Sequence, residues 1–305
     1  MRKIRVISPV TNPKVMAISL PIYQSIARTD TELSIVNLDQ GPETIESLYE
    51  DAIAAPQVIL RAIQAEKDGQ QAVIIDCMND PGLEAVREAV RIPVVGAAQA
   101  AMMLAGILCH KFSMLSTAPE DRFAFEQLVR RYGLAEKYAS TRSVDIPVAD
   151  LRKKPKKLLK ALLSAAKKAI EKDGAHGLVF GCTGMKGMAA RLEKELKAMG
   201  HVAVVIDPSL AALKWAEMLV DLNLSHSLRT YPPVGDTLLP EHQLASSSEP
   251  DAVMGNQDRQ AKIRVMVPVV RGFRKDDWLD GTLRDYASYA REGTQVEAIP
   301  IEQGP

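Results

Sequence analysis

The sequence predicts an α/β protein with two pseudo-symmetric, Rossmann-like lobes, each built on a parallel sheet, and a cleft between them. Short β-branched runs alternate with longer helical patterns, as is typical of βαβ units. The segments that begin at Ala72 and at Gly177 both read as strand, Cys, Gly-containing turn, helix and strand. Nearer the start of each half, the residues from Lys3 resemble those from Lys111 in sequence, so we expect two related halves.

The individual elements follow from the same patterns. The predicted helix Asp121–Tyr132 has its apolar residues on one face and stops before Gly133, and Pro155–Lys172 repeats apolar residues at a helical period. Asp207 follows the last predicted strand and precedes Pro208, which predicts a helix cap. The predicted strands are Ile4–Ser8, Leu33–Asn37, Ala72–Asp76, Pro93–Val95, Phe112–Ser116, Ser143–Val148, Gly177–Gly181 and Val202–Ile206.

The end of the chain repeats its beginning. The run KIRVMVPV at Lys262 repeats KIRVISPV at Lys3, and IEQGP at Ile301 matches LDQGP at Leu38. A lone strand–helix–strand unit buries too little apolar area to be stable by itself, so we expect this copy to dock on the main domain or another chain, or to begin a second domain that is cut off. The predicted organisation is a two-lobed domain at 1–228 (lobes at about 1–100 plus 205–228, and at 101–204), a linker at 229–261 and a partial repeat at 262–305.

Composition excludes several classes of protein. Lys plus Arg and Asp plus Glu each number 38, so the net charge of zero provides no electrostatic footprint for nucleic acid or an acidic membrane. The apolar runs are too short for a membrane span or a secretory signal, which predicts a cytoplasmic chain whose three cysteines are free thiols. Closely spaced Cys or His pairs and glycine-rich phosphate loops are absent from the sequence, so we expect neither a metal site nor a nucleotide-binding site.

Two of the cysteines occupy matching places in the two halves. Cys77 and Cys182 each follow a short apolar strand and precede a turn into a helix, at the sheet edge where open α/β folds bind ligands. Nearby helix N-termini favour anions, which predicts a lowered thiol pKa at both positions. A free cysteine is also often just a small buried apolar residue, and we interpret Cys109, inside the apolar run AMMLAGILC, in this way.

Two thiols that face each other across a cleft suit proton transfer at a carbon. One removes a proton from one face and the other returns a proton to the opposite face, which requires sulfurs roughly 7 Å apart, about 3–3.5 Å on each side of the carbon. Hydrogen-bond donors must then stabilise the enolate-like intermediate. The predicted residues that contact a small-molecule substrate are Ser8, Thr11, Asn79, Asp80, Ser116, Thr117, Thr183 and Gly184.

The same residues resemble a known family. DCMNDPGLEAVREAV with Cys77, FGCTGM with Cys182 and VVIDPSLAALKWAEMLV are similar to motifs of the aspartate/glutamate/hydantoin racemase superfamily, and the stretch from Asp80 to Leu83 is closest to the hydantoin and allantoin racemase branch. The resemblance extends over about Lys3 to Leu224. It implies an active site between two lobes, racemisation without a cofactor, Cys77 and Cys182 as paired acid and base, and a homo-oligomer.

One loop departs from that branch. Its members usually have Asn-Pro-Asn-Thr after the first strand, whereas this chain has Ser8, Pro9, Val10 and Thr11. The loop is expected to contact substrate, so the substrate can differ from hydantoin or allantoin. The C-terminal copy has Val267, Pro268, Val269 and Val270 and no cysteine, and cannot perform this chemistry alone.

The leading hypothesis is therefore a racemase or epimerase of a hydantoin-like or amino-acid-type substrate, and two other functions remain open at this point. Enzymes similar in fold decarboxylate aryl malonates or isomerise maleate with one or both cysteine positions, so a decarboxylase or cis–trans isomerase is one alternative. Two α/β lobes around a cleft are also a ligand-binding architecture, so a non-catalytic small-ligand-binding protein is the other.

Overall fold

A computed structural model describes residues 1–234, 262–268 and 295–301 of the chain. The chain divides into two compact units, Met1–Leu244 and Ala245–Pro305. The elements of the first unit are β1 (Arg2–Ser8), α1 (Lys14–Gln24), β2 (Thr31–Asn37), α2 (Leu48–Lys67), β3 (Ala72–Ile75), α3 (Leu83–Ala89), β4 (Val94–Gly96), α4 (Ala97–Leu108), β5 (Phe112–Ser116), α5 (Asp121–Arg131), β6 (Tyr138–Ser143), α6 (Pro155–Asp173), β7 (Gly177–Phe180), α7 (Ala189–Ala198), β8 (Val204–Ile206) and α8 (Pro208–Asp221).

The first unit has two parallel sheets with the same strand order, which confirms the predicted α/β fold with two lobes. One sheet has the order β2-β1-β3-β4 and the other has the order β6-β5-β7-β8. Each strand of the first sheet therefore has a counterpart four strands later in the chain, as an internal duplication would give. The chain enters the second sheet at β5, and α8 then packs back on β1, β3 and β4 of the first sheet.

Among the described residues the apolar core has three parts, and one of them joins the two lobes. A central cluster contains Val6 and Ile74 of the first sheet, Met114 and Val179 of the second, and small residues of α4 such as Ala101. Two further clusters fill the other faces of the two sheets. Because the central cluster is shared, both sheets are held against α4 by burial of apolar area.

Helix ends follow the signals in the sequence. Asp207 caps α8, and its carboxylate accepts from the backbone N–H groups of Ser209 and Leu210, as predicted. Gly174 ends α6 in the left-handed conformation. None of the helices in the described part of the chain is both long and apolar enough to span a bilayer.

One predicted strand is wrong, and the others are confirmed to within two residues at each end. The sixth strand is Tyr138–Ser143, not Ser143–Val148. The alternation that suggested 143–148 comes from Val144 and Ile146, which are buried but lie in a loop where Asp145 has a φ of 54°. The actual strand is half-buried at the sheet edge and mostly polar, so it lacks an apolar signal.

In the second unit, β9 (Lys262–Pro268) and β10 (Gln295–Ile301) pair in parallel. Lys262 is opposite Gln295, and the residues that match them in the repeat, Lys3 and Glu32, are opposite each other in the β1–β2 pair. The predicted linker from residue 235 onward, together with Val269 and Val270, lies outside the described residues. The predicted domain limits stay predictions.

Candidate active site

A cleft of about 850 Å³ opens between the two lobes of the first unit, and both Cys77 and Cys182 line it. Cys77 lies two residues after the end of β3 and Cys182 two residues after the end of β7. Strands β3 and β7 have the same place in their sheets. The two thiols therefore lie at equivalent positions of the two lobes and line the same cavity. Both cysteines are partly buried, and all three cysteines of the chain are free.

The turn after Cys182 donates to its sulfur. The backbone N–H of Gly184 lies 3.3 Å from Sγ of Cys182. A Cβ at position 184 would lie 2.8 Å from Cδ1 of Leu151 and 3.3 Å from this sulfur. Because glycine has no Cβ, the backbone of residue 184 can pack closely against both Leu151 and the sulfur. Burial raises the pKa of Cys182 to about 11, and the N–H of Gly184 and the ammonium of Lys186 lower it only partly.

Cys77 is shifted in the same direction. Burial raises the pKa of its thiol well above the ordinary value, the N–H of Asn79 opposes this shift, and Asp51 and Cys182 add to it. The charge on one thiol therefore affects the ionisation of the other. The prediction of lowered thiol pKa values is wrong, because desolvation outweighs the N–H donors and α3 begins only at Leu83.

Five of the predicted substrate-contacting residues lie on the wall of the cleft. The hydroxyl of Thr183 donates to the backbone carbonyl of Asp76 over 3.1 Å. Thr117 donates from its N–H and its hydroxyl to the carboxylate of Asp121, over 3.2 and 3.0 Å, at the start of α5. The five residues on the wall are Ser8, Asn79, Thr117, Thr183 and Gly184.

Three other predicted residues are not on the wall, and their polar groups contact the protein. The hydroxyl of Thr11 donates to the carbonyl of Pro42 over 3.3 Å, and the hydroxyl of Ser116 donates to the carbonyl of Ala118 over 2.8 Å. Asp80 is 2% exposed and faces the N-terminus of α4. These three side chains therefore hold the loops and helix around the cleft rather than face into it.

Asp80 serves the fold through one dense set of hydrogen bonds. Its carboxylate accepts from the N–H groups of Ala98 and Gln99, over 3.0 and 2.8 Å, and from the hydroxyl of Tyr132 over 2.6 Å. These bonds supply acceptors to the first turn of α4, where the backbone N–H groups have no helical partner. Burial nevertheless raises the pKa of Asp80 to about 6.

Sequence reasoning missed a buried ion pair on the cleft wall. The ammonium of Lys186 lies 2.5 Å from Oδ2 of Asp76, and each side chain is 2% exposed. Asp76 directly precedes Cys77, and Lys186 follows Cys182 by four residues. A charged residue at the end of the apolar run VIID was the available signal, because charged residues are rarely buried without a partner.

Further charged residues line the cleft near Cys182. Arg152 is on the wall and donates to the backbone carbonyl of Lys186 over 3.2 Å. Burial lowers the pKa of Arg152, whereas Asp207, Asp76 and Cys182 raise it. Within the described residues, no group of three or more His, Cys, Asp or Glu side chains is arranged to hold a metal ion.

Comparison with known proteins agrees with this architecture. The sequence model of the family described as Asp/Glu/Hydantoin racemase matches residues 4–216. A hydantoin racemase of Pseudomonas sp. (strain NS671) is 36% identical over 230 residues, which cover 75% of this chain and 90% of that protein. A hydantoin racemase of Paenarthrobacter aurescens is 34% identical over 226 residues, which cover 74% and 94%.

Solved structures give the same result. The allantoin racemase from Klebsiella pneumoniae superimposes with a TM-score of 0.72 at 30% identity, over 77% of this chain and 95% of that one. The allantoin racemase from Pseudomonas fluorescens gives a TM-score of 0.71 at 28% identity, over 76% and 97%. The chain therefore belongs to the Asp/Glu/Hydantoin racemase family, on its hydantoin and allantoin racemase branch, and is an isomerase of the racemase type.

Proposed function

We propose that the protein interconverts the enantiomers of a hydantoin-type substrate by two-base proton transfer, with Cys77 and Cys182 as the acid and base. The observation that carries this proposal is the arrival of both thiols in one cleft from equivalent strand ends of the two lobes. An enzyme that inverts a carbon needs one proton-transfer group on each face of it. Two groups related by pseudo-symmetry meet this need without further machinery.

The chemistry balances without a cofactor. One cysteine, as thiolate, removes the proton from the stereocentre, and the electron pair moves onto the adjacent carbonyl oxygen to give an enolate. The other cysteine, as thiol, then protonates the carbon from the opposite face. The product is the mirror-image molecule, and the enzyme is left with the thiol and thiolate exchanged, ready for the reverse direction.

The wall of the cleft offers groups that suit the developing negative charge. Arg152, Asn79 and Ser8 line the cleft together with the two thiols, and their side chains carry a guanidinium, an amide and a hydroxyl. Charges and donors fixed in a partly buried site stabilise an enolate more than water does, because they need no reorganisation during the reaction.

The mouth of the cleft indicates which substituent the ring carries. Ile18, Leu48 and Phe123 line the cleft and are 40%, 57% and 58% exposed. An apolar substituent placed against these side chains would remove apolar area from water on both partners. We therefore propose a hydantoin with an apolar substituent at its stereocentre as the substrate.

A chiral assay tests the function. The protein is incubated with single enantiomers of 5-benzylhydantoin and of allantoin, and optical activity is followed by circular dichroism against a sample without enzyme. We expect both enantiomers of 5-benzylhydantoin to reach the racemate at rates proportional to enzyme concentration. Loss of substrate to an achiral or open-ring product, or no enzyme-dependent change with either compound, would contradict the proposal.

The resemblance to the family also leads us to propose a homo-oligomer. Light scattering coupled to size-exclusion chromatography tests it directly. We expect a mass of at least twice the chain mass of 33.3 kDa, at a whole-number multiple of it. A mass equal to that of one chain at the assay concentration would contradict an oligomer.

A further inference from the structure

The ion pair between Asp76 and Lys186 bridges the two lobes at the point where the thiols meet. Asp76 follows β3 in the first lobe, and Lys186 follows the Cys182 turn in the second lobe. The ammonium of Lys186 also donates to the hydroxyl of Ser19 over 3.0 Å. The second carboxylate oxygen of Asp76 accepts from the hydroxyl of Ser209 over 2.7 Å. The contact between Asp76 and Lys186 is therefore held in place by hydrogen bonds to the side chains of Ser19 and Ser209, which lie on two further segments of the chain.

A second bond runs beside this pair. The hydroxyl of Thr183, adjacent to Cys182, donates to the backbone carbonyl of Asp76, adjacent to Cys77. The guanidinium of Arg152 donates to the backbone carbonyl of Lys186 and restrains the other end of the same turn. The segments 76–79 and 182–186, which contain Cys77 and Cys182, are called the two cysteine loops. They are hydrogen-bonded to each other through Asp76 and Thr183, each of which is adjacent in sequence to one of the two cysteines.

Stability alone does not explain a pair of this kind. Taking two charges out of water is unfavourable, and apolar residues of similar volume often stabilise a fold equally well or better. Apolar contact is also non-directional, whereas charge-assisted hydrogen bonds fix distance and angle. A directional contact has most value where two reacting groups must keep a set separation, since a small misplacement of such groups slows a reaction strongly.

We propose that Asp76 and Lys186 are a positioning pair, which holds the two cysteine loops at the separation that proton transfer to both faces of one carbon requires. The inference rests on the proposed function. It adds the requirement that the distance between the two thiols is fixed by residues other than the thiols themselves. The pair acts through Cys77 and Cys182 rather than on the substrate. Its loss should therefore lower kcat while KM changes little.

The test compares three variants with the wild type on 5-benzylhydantoin. Lys186→Met removes the charge and leaves Asp76 buried without its partner. The double variant Asp76→Leu with Lys186→Met removes both charges and keeps the volume apolar, so it is the variant expected to fold normally. Lys214→Met is the matched control, because Lys214 forms another lysine–carboxylate pair, 2.8 Å from Glu217 on α8, and does not line the cleft.

We expect the double variant to unfold within a few degrees of the wild type, yet to lose about 100-fold in kcat with KM changed less than about threefold. Lys186→Met should show the same loss of kcat, and Lys214→Met should keep the wild-type kcat. A folded double variant with wild-type kcat would overturn the inference, because the pair would then serve only the fold.

Ser209→Ala provides a milder second test if the double variant does not fold. Ser209 is fully buried on α8, and its hydroxyl donates to the Asp76 carboxylate over 2.7 Å and also lies within hydrogen-bond reach of the Tyr23 hydroxyl. Loss of the bond to Asp76 should lower kcat about fivefold with KM unchanged. An unchanged kcat would overturn the inference. If the wild type does not racemise the hydantoin, the proposed function itself fails, which is a different result from wild-type activity in a variant.

Discussion

Cys77 and Cys182 each lie two residues beyond the end of the third strand of their lobe, at Ile75 and Phe180, and line the same cleft. This relationship makes the two thiols equivalent in position but not in surroundings. Each sulfur has a backbone N–H donor and carboxylates nearby, and Cys182 in addition has the ammonium of Lys186 beside it. Differences between the two directions of the reaction should come from this asymmetry.

Replacing either thiol should abolish inversion. Cys77→Ala and Cys182→Ala should each lower kcat about 1,000-fold or more, because each removes a proton-transfer group that the other cannot replace. Cys109→Ala is the matched control, since Cys109 is 7% exposed and does not line the cleft. Chiral assays of the three purified variants give the result, and substantial racemisation by either cleft variant would disprove the two-base scheme.

The pH profile should rise into the alkaline range. Burial raises the pKa of Cys182 to about 11 and that of Cys77 above its ordinary value, so below these values the active thiol–thiolate form grows with pH. We expect kcat/KM to increase about tenfold per pH unit from neutral pH upward, and to fall again only once both thiols are ionised. The uncatalysed rate is subtracted at each pH. A profile that is flat from pH 6 to 9 would mean that a group other than a buried thiol limits the rate.

Asp51→Asn should make the protein more stable and Cys77 more reactive. Burial raises the pKa of Asp51 to about 6, and its Oδ1 is buried without a hydrogen-bond partner among the described residues. The folded state therefore loses stability as pH rises through 6, and the variant avoids this loss. We expect a gain of about 1 kcal/mol above about pH 7 and none below about pH 4, reduced because the residue is partly exposed.

The same variant removes a negative charge near Cys77. Alkylation of that thiol by iodoacetamide, read by mass spectrometry, should become faster at a fixed pH, and the alkaline limb of kcat/KM should move to lower pH. Slower alkylation in Asp51→Asn would show that the carboxylate does not act on the thiol as its position indicates.

Gly184→Ala should impair the reaction more than the fold. The added Cβ would lie 2.8 Å from Cδ1 of Leu151, the flexible end of a side chain, and 3.3 Å from Sγ of Cys182. We expect about tenfold lower kcat, because the displaced thiol no longer meets the carbon well. Gly106→Ala is the control, since its Cβ would approach Cδ2 of Leu134 at the same 2.8 Å away from the cleft. Equal kcat values in the two variants would contradict the role of the Cys182 turn.

Tyr132→Phe should destabilise the protein and leave catalysis intact. Its hydroxyl donates over 2.6 Å to the buried carboxylate of Asp80, and a lost bond to a charged group costs about 1.5–3 kcal/mol. Tyr138→Phe, which loses a bond of 2.7 Å to the hydroxyl of Thr141, should cost less, about 1 kcal/mol. Urea denaturation measures both values. A reversed order, or a large loss of kcat in Tyr132→Phe, would disagree with the structural role of Asp80.

The two-lobed fold could be predicted because its signals are local. Short apolar strands, the Asp207 cap and the matching Cys77 and Cys182 segments are all visible in the sequence. Strand β6 was not predictable, because its polar residues are half-buried at the sheet edge and the apolar alternation of Val144 and Ile146 belongs to the following loop. An alternation of apolar residues in the sequence indicates which side chains are buried, but a buried residue can lie in a loop as well as in a strand.

The sequence predicted that Cys77 and Cys182 meet at one cleft, and it predicted the surroundings of that cleft less well. Asp80 stands next to Asn79 in sequence, yet it turns toward α4, a direction that depends on tertiary contacts. Asp76 and Lys186 are far apart in the chain, so no short-range pattern shows that they pair. The direction of the thiol pKa shifts also depends on burial, which the sequence of a turn does not reveal.

The most direct test of the account follows deuterium during one inversion. A single enantiomer of 5-benzylhydantoin is incubated with the enzyme in deuterated buffer, and both enantiomers are separated and analysed by mass spectrometry in the first few percent of reaction. Two cysteines on opposite faces predict deuterium at the stereocentre of the product enantiomer and almost none in the remaining starting enantiomer. Equal early labelling of both enantiomers would show that one group serves both faces, and would contradict the pairing of Cys77 with Cys182.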